Sequence, residues 1–361
     1  MGKRSNETTV ALKKVCVILG AGASYDVSGE GSPIINDDFR PPLAIDLFNI
    51  SKHESYYYIM QRYNGAVFLG QELARKSSSG AINIERELRR YSSHEDKVTR
   101  EHFKHIPAYL RDLLYRVSTE YTYVPSSYIE LVQKLLADYP HDVLFIILNY
   151  DNLLESALER YNAIKFKFSD INQYVSDSRN AKVVKIHGSI NWFRYLPGSG
   201  NEQWDSAVSK FDIFEPLPEH EIIIKNGVPV VKEFVYDGYR IYPVLTAPLA
   251  GKGINSAVCP QNHIIEAKKF IKGCAKFLII GTSGLDEDLL EILDKSIDPM
   301  QGVLVDIVNK GREADNAQNR FVRGIKAFQN IYGSNLMTLY TKGFRKYLTS
   351  LEFNNFIKFR M

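Results

Sequence analysis

The chain has 361 residues, 45% of them apolar and 24% charged, with a net charge of +3 at neutral pH. That length suits one large domain or two modest ones, the balance is that of a globular protein, and a charge so near zero gives no argument for a nucleic-acid or membrane partner. Three scattered cysteines, Cys16, Cys259 and Cys274, cannot form a disulfide framework, and the lack of any Cys-x-x-Cys pair excludes a zinc ribbon.

Residues 1–13 read as a polar lead-in, too polar for a signal peptide, and no apolar run is long enough to span a membrane. A reducing cytoplasm is the expected compartment. Val15-Cys16-Val17-Ile18-Leu19 then runs straight into Gly20-Ala21-Gly22-Ala23-Ser24. An unbroken apolar run of this kind predicts a strand buried on both faces, as in a parallel sheet, with Cys16 as a small core residue. The glycines allow a sharp turn and close approach of a ligand. Two readings stand side by side: a nucleotide-binding first turn, with a diphosphate at the start of a helix near Ser24, and an ordinary strand-to-helix turn made of small residues. The dinucleotide fingerprint of hydride-transfer enzymes is incomplete. Tyr25 stands where its third glycine belongs, and a loop, Ser28 to Pro33 and Asp37 to Pro42, follows in place of a second strand ending in an acid.

From residue 43 to 139 the apolar spacing turns helical, as in Ile106, Leu110, Leu113, Leu114 and Val117, and again in Ile129, Val132 and Leu136. This stretch is expected to form a helical insertion, with Lys76 to Gly80 as a linker and Arg89, Arg90, Lys97 and Arg100 on solvated faces. Sheet resumes with Val143 to Leu148, ending in Asn149-Tyr150-Asp151-Asn152, where Asp151 or Asn152 caps the next helix. Lys182 to Ile186 is a third strand ending in His187-Gly188-Ser189. Residues 196–216 read as loop, and Asn226-Gly227 signals a hairpin between Ile222-Ile223-Ile224 and Val228 to Val235, weakened by Pro229. Residues 262–273 read as a helix, Phe277 to Ile280 as a strand ending in Gly281-Thr282-Ser283-Gly284, and Leu285 to Leu293 as a helix with an acidic first turn. Val303 to Val308 is a strand ending at Asn309, and Leu336 to Leu339 an edge strand. The aromatic-rich segment 343–360 needs cover, from the core or from another subunit.

Five apolar strands thus end in small or polar clusters: Gly20-Ala21-Gly22, Asn149-Tyr150-Asp151, His187-Gly188, Gly281-Thr282-Ser283 and Asn309. Strand ends are where turns begin, so one such cluster means little. Five on one edge of an open α/β sheet predict a ligand site. His187 is the candidate base, since His titrates near neutrality, and Asn149 can either hold a sugar hydroxyl or cap a helix.

These motifs, in this order, resemble the sirtuin superfamily, especially the bacterial sirtuin-like domains of anti-phage defence systems. Gly20 to Ser24 is similar to the sirtuin glycine motif and Asp38-Phe39-Arg40 to the loop motif after it. Asn149-Tyr150-Asp151 resembles the Asn-x-Asp motif, with Leu148 replacing the usual preceding glutamine, and His187-Gly188 the catalytic His-Gly pair. Gly281-Thr282-Ser283 and Asn309 resemble the motifs that hold the adenosine half. The four-cysteine zinc module of the deacetylases is missing, which puts protein deacylation in doubt. The resemblance implies an α/β fold: a Rossmann-like, mostly parallel sheet with helices on both faces, a helical insertion at 43–139 and no zinc ribbon. The core would comprise 14–42 and 140–349, and the C-terminal segment, 350–361, would be a candidate oligomer contact.

The function implied is NAD+ hydrolysis at the nicotinamide–ribose bond, with NAD+ as substrate and no metal, in an effector that depletes NAD+. Asn149, His187 and Asp151 would be catalytic. Gly20, Ala21, Gly22, Ser24, Asp38, Phe39, Arg40, Gly281, Thr282, Ser283 and Asn309 would bind the dinucleotide. Nicotinamide leaves neutral from a pyridinium, so no general acid is needed, unlike in ordinary glycosidases. The alternatives are a module that binds NAD or ADP-ribose without turnover, and an NAD-dependent deacylase. The expected partners are further copies of the chain and a hexameric HerA-type ATPase or a short Argonaute, with no membrane and no direct nucleic-acid contact.

Overall fold

The computed structural model describes residues 13–27, 40–43, 46–48, 54–78, 84–121, 126–138, 141–196, 198, 200, 202–212, 218–246 and 258–359. Along them lie β1 (Lys13–Leu19), β2 (His141–Ile147), β3 (Ala181–Lys185), β4 (Gly188–Tyr195), β5 (Ile223–Ile224), β6 (Val235–Tyr236), β7 (Tyr239–Leu245), β8 (Lys276–Ile280), β9 (Leu304–Val308) and β10 (Met337–Tyr340). Six of them form one parallel sheet in the order β10-β9-β8-β1-β2-β3. Flanking helices bury Val15 to Leu19, Val143 to Ile147 and Phe277 to Ile280, which is why those strands read as continuous apolar runs. The expected α/β class with a mostly parallel sheet is the fold observed.

β1 lies between β2 and β8, so the chain reverses its direction of travel across the sheet there, the switch point at which open α/β sheets bind ligands. Register then levels the strand ends. Leu19 is opposite both Ile147 and Ile280, Ile147 is opposite Lys185, and Ile280 is opposite Val308. Gly20, Asn149, His187, Gly281 and Asn309 therefore leave the sheet along one edge.

A second core lies beside the first. Helices Glu54–Gln61, Asn64–Ser78, Ile84–Ser92, Lys97–Phe103 and Ile106–Arg116 share this core with an antiparallel sheet of order β5-β4-β7-β6, around Leu69, Tyr109, Phe193, Trp204 and Ile241, and Ile106–Arg116 lies against the sheet. Helix Ser126–Gln133 packs in the first core instead, through Tyr128, Leu131 and Val132. A buried ion pair joins helix to sheet in the second core. Arg111 Nη1 lies 3.0 Å from Asp112 Oδ1, and Arg111 Nε donates to Ile190 O at 2.9 Å. Asp112 also accepts from Tyr63 OH at 2.5 Å and from Val231 N at 3.3 Å. Such hydrogen bonds are what offset the desolvation of a buried pair.

Several elements differ from the sequence expectation. Strand β4 was not foreseen, because Ser189 and Asn191 are buried in it beside Ile190 and Trp192, which blurs the alternation. Gly188, at φ +81°, makes the reversal from β3 to β4, and a Cβ there would lie 2.2 Å from Val244 O. Within the expected loop 196–216 stands the helix Trp204–Ser209, pinned by Trp204 Nε1 donating to Ile241 O at 3.0 Å. The hairpin turns at Asp237-Gly238, between β6 and β7, and not at Asn226-Gly227. Val228 and Val231 go into the second core, and Pro229 has no amide to give a ladder. The expected linker at Lys76 is helical through Ser78, with Lys76 held by Glu72 at 2.9 Å and Glu87 at 2.6 Å.

The C-terminal aromatics find their cover within the chain. Helices Phe344–Leu348 and Leu351–Lys358 bury Phe344, Tyr347, Phe353 and Phe356 on the first core, while Leu351 is 71% exposed. Polar clamps fix them: Tyr347 OH donates to Asp306 Oδ2 at 2.5 Å, and Lys276 Nζ donates to Phe356 O at 2.8 Å and Ile357 O at 2.9 Å.

Candidate functional site at the strand ends

The turn after β1 is built by backbone packing on the turn after β8. Gly20 N donates to Ile280 O at 2.9 Å, Gly22 N to Gly281 O at 2.8 Å, and Ala23 N to Gly20 O at 2.9 Å. A Cβ on Gly20 would lie 2.6 Å from Gly281 O, and one on Gly22 2.9 Å from Gly281 Cα. Gly281 sits at φ +66°, and its own Cβ would lie 2.1 Å from Ala23 N. These glycines thus let two turns from adjacent parallel strands touch backbone to backbone. The helix that follows, Ala21–Tyr25, is one turn long and has no side-chain cap.

Beneath that turn the end of β2 is fastened to it. Asn149 Nδ2 donates to Gly20 O at 2.8 Å and to Ser24 Oγ at 2.7 Å. Ser24 Oγ donates to Asp151 Oδ2 at 2.8 Å, and Tyr128 OH lies 2.9 Å from the same Oγ. Ser24 has one proton and gives it to Asp151, so Tyr128 donates to Ser24. Burial pushes the Tyr128 hydroxyl well up, consistent with a proton held there. Asp151 Oδ1 accepts the amide of Leu153 at 3.2 Å and starts helix Leu153–Tyr161, a role Asn152 leaves to it.

A buried lysine that the sequence reading passed over sets the path of this loop. Lys185 is fully buried at the end of β3 and donates to Tyr150 O at 3.4 Å and to Asp151 O. Its charge is met by Glu155 Oε1 at 2.9 Å, which also accepts from Tyr174 OH at 3.4 Å. Burial raises the Glu155 carboxyl, and Lys185 opposes that rise. The available signal was one lysine ending Lys182-Val183-Val184-Lys185, beside apolar neighbours in a sheet covered on both faces.

His187 is paired with a residue from across the sheet. It follows β3, whereas its partner Asp286 follows β8, and β2 and β1 lie between. Three strand spacings amount to about 14 Å. His187 Nε2 lies 2.6 Å from Asp286 Oδ2, Nδ1 lies 3.4 Å from Thr246 Oγ1, and the ring centroid lies 6.2 Å from that of Tyr150. Burial alone would raise the Asp286 carboxyl, but His187 and the amides of Leu289 and Asp288 hold it below its usual range. The neighbouring Asp288 is pushed up to about 6 by burial and by the Asp286 charge.

The ends of β8 and β9 complete the edge. Thr282 is buried and its Oγ1 accepts Gly284 N at 3.3 Å, Asn309 Nδ2 donates to Thr282 O at 2.9 Å, and Arg320 Nη1 donates to Ser283 O at 2.9 Å. Arg40 Nη1 donates to Tyr25 O at 3.4 Å, with its guanidinium 5.0 Å from the Tyr25 ring. Asp38 and Phe39 lie outside the described residues. Gly20, Gly22, Ser24, Asn149, Asp151, Gly281, Thr282 and Asn309 thus form one hydrogen-bonded and packed net, while His187 pairs with Asp286, a partner that no local pattern marked. Among the described residues no group of three or more His, Cys, Asp or Glu is placed to hold a metal, and no helix is long and apolar enough to cross a membrane.

Residues 143–224 match the family model of the SIR2-like domain, a stretch that contains Asn149, Asp151 and His187. The chain is similar to solved structures of Sir2 bound to acetylated peptide, at 13% identity over 96% of this chain and 94% of that one, with a TM-score of 0.38. It is likewise similar to Sir2 with p53 peptide and NAD+, at 13% identity over 95% and 93% with a TM-score of 0.39. For Sir2Tm bound to a propionylated peptide the figures are 14%, 95%, 94% and 0.39. No curated protein matches the chain.

Proposed function

We propose that this chain binds NAD+ along the ends of β1, β2, β3, β8 and β9 and hydrolyses its nicotinamide–ribose bond, giving nicotinamide and ADP-ribose. The observation that carries the proposal is a histidine paired at 2.6 Å with an ionised carboxylate over the level ends of a parallel sheet, at its switch point. The SIR2-like match over residues 143–224 supports it.

The donor set fits a cationic dinucleotide. Asp286 and Asp288 bring negative charge to the place where positive charge would grow on a ribose, and a fixed charge in a partly buried site needs no reorganisation. His187 takes a proton from a ribose hydroxyl or from the attacking water. Asn149 holds the glycine turn with both amide hydrogens, and its acceptor Oδ1 is what it offers a ribose hydroxyl. Asp151 acts through Ser24 and the start of helix Leu153–Tyr161. In this reading Gly20 to Ser24 and Arg40 take the diphosphate side, and Thr282, Ser283 and Asn309 the adenosine side. The proposal extends to an effector that depletes NAD+ in anti-phage defence, held in check until it assembles with itself or with a partner such as a HerA-type ATPase.

The test is nicotinamide release from NAD+ by the purified chain, alone and with the products of neighbouring genes. His187→Ala is expected to lower kcat by about a hundredfold or more, the size of a lost general base. Release at the unaltered rate would refute the role. NAD+ that stays bound and intact in every assembly would favour the binding-module reading, and NAD+-coupled consumption of an acyl-lysine peptide would favour the deacylase.

A further inference from the structure

We infer that Asp286 is the positioning residue for His187: its carboxylate decides which ring nitrogen carries the hydrogen, and so makes Nδ1 the basic one. What His187 does with that nitrogen rests on the hydrolase reading above; how the ring is held rests on the geometry of the pair. The two oxygens of Asp286 have separate tasks. Oδ1 accepts the amide of Leu289 at 2.7 Å and caps helix Glu287–Ser296, while Oδ2 faces His187 Nε2 at 2.6 Å. The cap fixes the carboxylate to the end of a ten-residue helix, so the ring meets an anchored partner and not a swinging one.

An ionised carboxylate can only accept, so a neutral His187 carries its hydrogen on Nε2 and keeps the lone pair on Nδ1. The carboxyl is held below its usual range, which keeps it ionised through neutral pH. Nδ1 faces the Thr246 hydroxyl at 3.4 Å, a long contact that a substrate hydroxyl or water can replace. The step balances as follows. The O–H bond of the nucleophile breaks as its proton bonds to Nδ1. The oxygen's electron pair bonds the ribose carbon, and nicotinamide departs with the electron pair of the old C–N bond. The imidazolium keeps Nε2–H on Asp286, whose charge stabilises it, and returns the Nδ1 proton to solvent. Asp286 is not protonated at any point.

The sequence offered Asp286 only as an acid suited to the first turn of a helix. A cap explains Oδ1 and leaves Oδ2 unexplained. Two substitutions separate the tasks. Asp286→Asn keeps a cap acceptor but turns an NH2 toward Nε2, which forces the hydrogen onto Nδ1. Asp286→Ser keeps the cap with its hydroxyl and is too short to hold the ring.

The experiment uses the full chain with 15N-labelled histidine, the His187 signal being assigned by its loss in His187→Gln. The Nε2–H form is expected in the parent, the Nδ1–H form in Asp286→Asn and a mixture in Asp286→Ser. In NAD+ turnover, Asp286→Asn is expected to lose about a hundredfold or more in kcat with KM changed by less than roughly threefold. An unchanged Nε2–H form in both variants, or a switched form with kcat unaltered, would overturn the inference. A switched form in a chain that turns over no NAD+ would leave Asp286 as the positioning residue and remove the hydrolase reading.

Discussion

At the ends of β1 and β2 the polar side chains turn inward. Ser24, Asn149 and Asp151 are 1%, 7% and 6% exposed, and their hydrogen bonds go to one another, to Gly20 O, to Tyr128 and to Leu153 N. His187, past the end of β3, and Asp286, past the end of β8, each keep 15% of their side chains exposed and face each other across the edge. The first region has few groups left to offer, so its work is shape. The second holds an acid–base pair on the rim, where a partner can be exchanged. Polar residues at strand ends are therefore of two kinds, and the direction of their hydrogen bonds tells them apart.

The contrast can be broken from beneath. Lys185→Met leaves Glu155 buried without its cation and takes a donor from the loop carbonyl of Asp151, so a loss of about 3–5 kcal/mol is expected by urea denaturation. Adding Glu155→Gln should recover much of it. If Lys185→Met alone is neutral, the buried pair does not hold this loop. Next in size is Gly281→Ala, which sets a Cβ at φ +66° against Ala23 N. About 3 kcal/mol is expected to go, read as a lower thermal midpoint, with nicotinamide release falling in step as the glycine turn shifts.

Stability against pH sharpens the comparison because two acids, Asp306 in the core and Asp286 on the rim, have opposite signs. Asp306 is raised to about 6, chiefly by burial and despite its bond from Tyr347. Its contribution is whole below the unfolded value near ~4 and is lost as pH rises through about 6, a fall of about 3 kcal/mol that Asp306→Asn should flatten. Asp286 is lowered, so its contribution is present above the unfolded value and is lost as pH falls through the folded one. Denaturation midpoints from pH ~3 to ~8 for the parent and each Asn variant would show the two contributions as differences of opposite slope, and differences of the same slope would remove the distinction. The smallest effect expected is from Ser24→Ala, about 1–2 kcal/mol, for leaving Asn149 and Tyr128 without their acceptor and Asp151 without a donor. A larger effect on kcat than on stability would move Ser24 from shape to chemistry.

How far the site could be read beforehand follows from where each signal sits. Gly20 to Ser24, Asn149 to Asp151, His187-Gly188, Gly281 to Ser283 and Asn309 were marked by apolar runs that stop at polar or small residues, a pattern contained within ten residues or so. The parallel sheet followed from the same runs. β4 escaped because its buried Ser189 and Asn191 break the pattern, and the helix Trp204–Ser209 because six residues are too few to show a period.

The sequence by itself determined the strands of the parallel sheet and the residues standing at their ends, because burial on both faces of a sheet is written in neighbouring positions. Only the tertiary structure decided who meets whom: Ser24 and Asn149 are 125 positions apart, and His187 and Asp286 are 99. No local pattern carries such a pairing. It comes from the position of β1 between β2 and β8 and from the register that levels their ends.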